Sequence, residues 1–418
     1  MKSFSELSLF PVLQANLLKN GFTQPTPVQE LAIEPALAGR NVVATAQTGT
    51  GKTLAFVLPL VQSLLAEPGP KGVRAVVLSP TRELAIQIHE AFTKIAHGTG
   101  IRAAIVVGGV GENPQLQSIR KGAQVVIATP GRLYDFLSRQ LVNLANVKIL
   151  VLDEADRMLD MGFLPTIKRI MATTPANRQT LFYSATIETS VKHLVETHVP
   201  NAVRIEVGSI SRPVEQVDLR LYEIDQSKKL PLLQSMLQTE TGSFLVFART
   251  KHGADRLAKQ LSVGGAKTAT IHGDRSQNQR NQALKGFQDG YYRVLVATDV
   301  AARGIHVEGI SHVVNYDLPQ VPEDFIHRVG RTGRAGALGT AHTFATRMER
   351  SDISRIERAL SVRMTRHLAP KEIVGENQTM APVVEIAAAM RFERTRQQPA
   401  NGKMVFRSRN RRPVRRAI

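Results

Sequence analysis

The segment Ala46-Gln-Thr-Gly-Thr-Gly-Lys-Thr53 constrains this chain more than any other. It follows a short β-branched run, Asn41–Thr45, and precedes an apolar helical pattern over Leu54–Leu65. It fits the phosphate-loop template G-x-x-x-x-G-K-[ST] with Ala46 at the first glycine position. Gly49 and Gly51 let backbone N–H groups turn inward, and the helix that starts there offers its positive dipole end to an anion. Lys52 would then reach the β and γ phosphates of a nucleotide and the Thr53 hydroxyl would ligate Mg²⁺. A glycine-rich turn without a ligand is the competing reading, and the strand–loop–helix context disfavours it.

A strand, a phosphate loop and a helix imply an α/β sheet, and the rest of the chain keeps that rhythm. β-branched runs recur at 73–78, 101–107, 123–127, 147–152 and 179–183, separated by helix-patterned stretches. The rhythm breaks at Gly208-Ser-Ile-Ser-Arg-Pro213 and restarts with runs at 217–222, 244–248, 267–271, 293–297, 312–315 and 341–345. The reading is two α/β domains over residues 1–207 and 214–368, joined by a linker at 208–213. A length of 418 residues and 43% hydrophobic content suit two ordinary domains with extensions. From residue 369 apolar periodicity fades, apart from a short helical pattern at 383–390. Residues 391–418 hold ten Lys or Arg against one acid, Glu393, so 369–418 reads as a basic, disordered tail.

The net charge of +19 points to a polyanionic partner, against the plainer reading of a merely basic surface. The absence of Cys excludes disulfides, thiolate metal sites and cysteine nucleophiles. The start MKSFSELSLF lacks a signal-peptide core, and no apolar run is long enough to cross a bilayer, so the expectation is a cytoplasmic protein with no membrane association.

Two further clusters carry chemistry. Asp153-Glu-Ala-Asp156 ends an apolar strand, where ligands bind in open α/β sheets. Alone, such a string is usually a solvated charge cluster. Paired with a phosphate loop, Asp153 becomes the Mg²⁺ partner and Glu154 the group that orients and deprotonates the attacking water. In the second domain, His327-Arg-Val-Gly-Arg-Thr-Gly-Arg334 is either a solvated basic turn or a phosphate-facing loop. Opposite a phosphate loop, Arg331 and Arg334 read as fingers that neutralise charge on the transferring phosphoryl group.

These motifs, in this order, resemble the DEAD-box RNA helicases over roughly residues 4–365. The resemblance implies two RecA-like parallel-sheet domains in tandem, ATP and Mg²⁺ as cofactors, and RNA as a largely sequence-independent partner, with the ribosome or RNA-degradation machinery as further partners. Gly21-Phe-Thr-Gln-Pro-Thr-Pro-Val-Gln29, with Phe4 upstream, resembles the adenine-recognising Q motif. There Gln29 would meet the adenine edge and Phe22 would stack on the ring, although Phe4 and Phe22 also read as core aromatics. Gln47, Thr48, Gly49, Thr50, Gly51, Lys52 and Thr53 complete the nucleotide contacts. The family's RNA-backbone motifs match Thr81, Arg82, Gly109, Thr129 and Arg132 in the first domain and Gly273, Gln277, Arg280 and Thr298 in the second. Ser184-Ala-Thr186 resembles the motif that links hydrolysis to strand separation, or is an ordinary helix cap.

One position departs from the family pattern: His306 stands where an Asp usually meets the ATP ribose. The basic C-terminal extension most resembles bacterial RhlE-type helicases. The expected function is ATP-dependent, RNA-stimulated duplex unwinding or remodelling of RNA–protein complexes. An ATP-gated RNA clamp with slow turnover and a DNA-directed motor are the alternatives.

Overall fold

The computed structural model describes residues 3–46, 49–67, 69–187, 189–207, 217–302, 309–333 and 338–374. The linker at 208–213, the helical pattern at 383–390, and Gln47, Thr48, His306 and Arg334 lie outside the described residues.

Two seven-stranded parallel sheets follow one another along the chain. The first contains β1 (Val42–Ala46), β2 (Ala75–Leu78), β3 (Ala103–Val106), β4 (Val125–Ala128), β5 (Ile149–Leu152), β6 (Gln179–Ser184) and β7 (Val203–Val207). The second contains β8 (Val217–Glu223), β9 (Phe244–Phe247), β10 (Thr268–Ile271), β11 (Val294–Ala297), β12 (His312–Asn315), β13 (Gly339–Ala345) and β14 (Thr365–His367). Their spatial orders are β3-β4-β2-β5-β6-β1-β7 and β10-β11-β9-β12-β13-β8-β14, one topology used twice. Twelve of these strands fall on the predicted runs, with ends shifted by up to two residues. The edge strands β7 and β14 were not predicted: only one residue of β7 is buried and none of β14, so neither carries an apolar run.

The central strands β2, β4, β5, β9 and β11 are buried throughout, as a sheet covered on both faces requires. Successive residues feed opposite cores. Val77, Ile127 and Val151 pack on one side of the first sheet, and Val76, Val126 and Leu150 on the other. Leu245 and Leu295 divide from Phe244 and Val294 in the same way in the second. Ordered structure continues past the predicted start of the tail at residue 369: Ala369 is buried, and Ile373, on the short helix Lys371–Val374, packs against the second domain's core. Among the described residues no helix is long and apolar enough to cross a membrane.

Candidate nucleotide and RNA site

Apart from the Q motif, which precedes β1, each predicted functional segment of the first domain follows the C-terminal end of a strand, where the carbonyl ends of the sheet meet the helix N-termini that follow. The phosphate loop joins β1 to the helix Lys52–Ala66. Gly51 caps that helix with φ +93°, and a Cβ there would lie 2.4 Å from the Gln29 side-chain nitrogen, so only glycine fits. Lys52 is buried and its Nζ donates to the Ala46 carbonyl at 2.9 Å, drawing the ammonium over the loop. Thr53 sits in the first turn of the same helix.

Gln29 is more committed than its proposed adenine role implies. Its Oε1 accepts from Thr26 N and its Nε2 donates to Gly51 O, both at 2.9 Å, which leaves one N–H and one lone pair for a base. The Q motif thus clamps the end of the phosphate loop. Phe4 is 3% exposed and packs in the first domain's core. Phe22 is half-buried against the same core.

Asp153 and Glu154 follow β5. Glu154 adopts φ 50°, ψ 53°, a left-handed conformation that costs a non-glycine residue about 1–3 kcal/mol and that turns the chain into the next helix. Its carboxylate accepts from Arg157 Nη1 at 2.7 Å, with both side chains almost fully buried. Burial pushes the Glu154 carboxyl up, but Arg157, Lys52 and Arg331 together outweigh it and hold the group below the ordinary Glu value. Asp153 behaves in the opposite way: burial pushes its carboxyl up to about 7 despite the attraction of Lys52. The pair is therefore split into one committed carboxylate and one that needs a cation to ionise fully at neutral pH.

Arg331 reaches this centre from the other domain. Its guanidinium is buried, donates through Nε to the His327 carbonyl at 3.2 Å, and acts electrostatically on Glu154. A small cavity between the domains is lined by Arg157 from the first and by Phe247, Asp299, Asp324, Arg328 and Arg331 from the second. Arg157 Nε and Nη2 are buried without a hydrogen-bond partner, donors that suit an anion. Lys52, the glycine cradle at Gly51 and these idle guanidinium donors all fit the phosphates of a nucleotide triphosphate.

Sequence reasoning passed over several of the residues that organise this centre. Asp156 accepts from Ala185 N and Thr186 N at 2.9 Å and from Thr186 Oγ1 at 3.3 Å, while Ser184 Oγ accepts from Asp156 N and donates to the Thr186 carbonyl. Ser184 and Thr186 are thus tied to the Asp-Glu-Ala-Asp string, Ser184 by accepting an N–H in the first turn of the helix Ala155–Asp160. Arg328 is held by Asp299 through two bonds of 2.6 and 2.7 Å and lies over the Phe247 ring at 4.9 Å, a structural anchor for the loop that carries Arg331. The available clue was position: Asp156 and Arg157 adjoin the predicted pair, and Arg328 lies inside the predicted arginine segment.

Of the predicted RNA contacts, Arg82, Gly109, Gln277 and Arg280 lie together at the junction of the two domains. Thr81 caps the helix Arg82–Ile95, accepting from Leu84 N, and Thr129 stands at the N-cap position of Pro130–Ser138 without a side-chain cap bond. Gly109, at φ +72°, lies against the Arg82 guanidinium, and Arg132 packs over Phe136 at 5.4 Å. Gly273 has open space where a side chain would stand, and Thr298 N donates to the Ile271 carbonyl. Gln277 and Arg280 are brought to the first domain by Glu83, whose Oε1 accepts from Gln277 Nε2 at 3.0 Å and pairs with the Arg280 guanidinium at 3.0 Å, and Arg82 donates to Gln277 at 3.4 Å. Glu83, absent from the predicted set, is the hub of this junction.

Tandem RecA-like domains, with a phosphate loop and paired acids on one and an arginine from the other at the same centre, define a class of two-domain proteins with a nucleotide site shared between the domains. A family model for DEAD/DEAH box helicases matches residues 26–194, and a helicase conserved C-terminal domain model matches 228–336. The chain is 41% identical over 336 residues to the ATP-dependent RNA helicase vasa of Drosophila melanogaster, covering 79% of this chain and 51% of vasa. It is 39% identical over 380 residues to the DEAD-box ATP-dependent RNA helicase CshA of Bacillus licheniformis, covering 90% of this chain and 78% of CshA. Its fold is similar to Saccharomyces cerevisiae Dbp5 bound to RNA and ADP BeF3, with TM-score 0.80, 33% identity, and coverage of 89% and 97% of the two chains. The chain belongs to the DEAD-box helicase family. It spans about half the length of vasa.

Proposed function

We propose that this protein is an ATP-dependent RNA helicase that uses RNA-stimulated ATP hydrolysis to open short duplexes or remodel RNA–protein complexes. The observation that carries this reading is the convergence of Glu154 and Arg331 from separate domains on one buried centre, so that chemistry depends on domain closure. Lys52 and the backbone N–H groups around Gly49 and Gly51 bind the phosphates, and Gln29 meets the base with its remaining donor and acceptor. Thr53 and Asp153 would hold Mg²⁺, which supplies charge neutralisation on the phosphates. Glu154 orients the water and takes its proton, while Arg331, and Arg334 beyond the described residues, neutralise the charge that develops.

Closure also joins Thr81, Arg82, Gly109, Thr129 and Arg132 to Gly273, Gln277, Arg280 and Thr298 as one backbone-reading track. Contacts of that kind give little base preference. Dbp5 bound to RNA and ADP BeF3 shares this fold, which supports the reading. The same reading places the protein in the cytoplasm, with the ribosome or RNA-degradation machinery as partners.

The test is Glu154→Gln. The amide still hydrogen-bonds water but cannot accept its proton, so RNA-stimulated kcat should fall by at least about 100-fold while ATP and RNA binding persist. Hydrolysis near the parent rate would overturn the assignment, and equal stimulation of the parent by DNA would overturn the RNA substrate.

A further inference from the structure

The second domain carries a polar cluster at the N-terminal edge of its strands, the edge opposite Gly273 and Thr298, where it takes no part in the proposed chemistry. Glu240 ends the helix Lys229–Thr239, His312 opens β12, and His342 lies within β13. Glu240 Oε2 is 3.1 Å from His312 Nδ1 and 3.4 Å from His342 Nε2, and the two ring nitrogens are 3.3 Å apart. Three ligand atoms from three elements therefore form a nearly equilateral triangle. An ion bound tetrahedrally at about 2.0–2.2 Å by imidazole and carboxylate demands ligand edges of about 3.3–3.6 Å.

Hydrogen counting gives a second, independent observation. His312 Nε2 lies 2.8 Å from the Thr241 carbonyl, which can only accept, so the ring hydrogen sits there and Nδ1 presents a lone pair to Glu240. That holds for the neutral ring, the form in which a histidine binds a metal. The contact between His312 Nδ1 and the carboxylate thus joins two acceptors, and the single hydrogen that His342 Nε2 can supply does not satisfy both. His342 is fully buried and its Nδ1 has no partner. Arg220 approaches the other carboxylate oxygen, Oε1, at 3.8 Å, which leaves Oε2 facing the two rings. A ligand histidine whose far nitrogen is fixed by a backbone carbonyl is the usual outer-sphere arrangement of a metal site.

We propose that Glu240, His312 and His342 form a zinc site, reached from solvent past the partly exposed Glu240 and His312, that pins the end of the helix Lys229–Thr239 to β12 and β13. Neutral imidazoles and a carboxylate suit Zn²⁺, whereas Mg²⁺ prefers an octahedral oxygen set.

The experiment uses the full chain, stripped with chelator, without nucleotide and with Mg²⁺ in excess, titrated with Zn²⁺ by calorimetry and with Co²⁺ by visible absorption. One equivalent should bind, with the intense visible bands of four-coordinate Co²⁺, and Tm should rise with Zn²⁺ because the ion binds only the folded form. Glu240→Gln and His312→Gln should each weaken binding at least tenfold and remove the Tm response, while Mg²⁺-dependent ATPase stays at the parent level. Circular dichroism checks that each variant is folded; Glu240, at a partly exposed helix end, is the safer of the two. The proposal fails if the parent binds no stoichiometric Zn²⁺, if the variants bind as well as the parent, or if the parent's Tm responds to pH and not to Zn²⁺.

Discussion

Gly109 shows how one backbone position can serve the RNA track. Its φ of +72° favours glycine, and an added Cβ would meet the Arg82 guanidinium at 2.1 Å. Gly109→Ala must therefore displace Arg82, a predicted phosphate contact that also donates to Gln277. RNA affinity should fall roughly tenfold while the nucleotide loop, formed by other residues, keeps its ATP affinity; equilibrium titrations with labelled RNA and labelled nucleotide check both. Glu154 makes the complementary point. Its left-handed backbone and its bond to Arg157 fix a carboxylate that three cations keep ionised, so its fitness as a water-directed group comes from its surroundings and not from residue type.

At the scale of elements, the loop after β6 is bound to the helix Ala155–Asp160 by the four bonds that link Asp156 with Ser184, Ala185 and Thr186. The string that holds Glu154, the proposed general base, and the Ser184–Thr186 segment are therefore bonded into one unit. Asp156→Asn replaces a charged acceptor by a neutral one, at a cost of about 1–3 kcal/mol to that junction. Unwinding per ATP hydrolysed should drop severalfold while RNA-stimulated hydrolysis changes less. Parallel measurement of ATP turnover and duplex opening reads this ratio, and an unchanged ratio would separate Asp156 from coupling.

For the whole molecule, Glu83 ties the domains together through Gln277 and Arg280 in a largely buried junction. Glu83→Gln loses the charge but keeps the shape, so the closed arrangement should weaken by roughly 1.5–3 kcal/mol. Roughly 10- to 150-fold more RNA should then be needed for half-maximal ATPase, with little change in thermal unfolding of the individual domains. We propose that the basic segment beyond Met390 adds long-range attraction for RNA. Its deletion should lower affinity broadly and flatten the salt dependence, each lost phosphate contact on a single strand removing roughly 0.7 from the log–log slope. An unchanged slope would assign the segment to protein contacts.

The amino-acid sequence alone determined the parallel-sheet architecture, the two domains, the phosphate loop and the acid pair. Each of these depends on local pattern: continuous apolar runs for doubly covered strands, and a Gly-Lys-Thr turn between a strand and a helix. The edge strands β7 and β14 escaped because a half-solvated edge leaves no apolar run to detect. Only the tertiary structure decided that Phe4 is a core residue, that Gln29 clamps Gly51, that Asp156 holds the loop at Ser184 and that Glu83 joins the domains. It alone also brought Glu240, His312 and His342, separated by up to 102 residues, into one triangle. The reason is physical: a hydrogen-bond partner distant in sequence leaves no periodicity in the chain, and it is chosen only when the sheets have placed their loops.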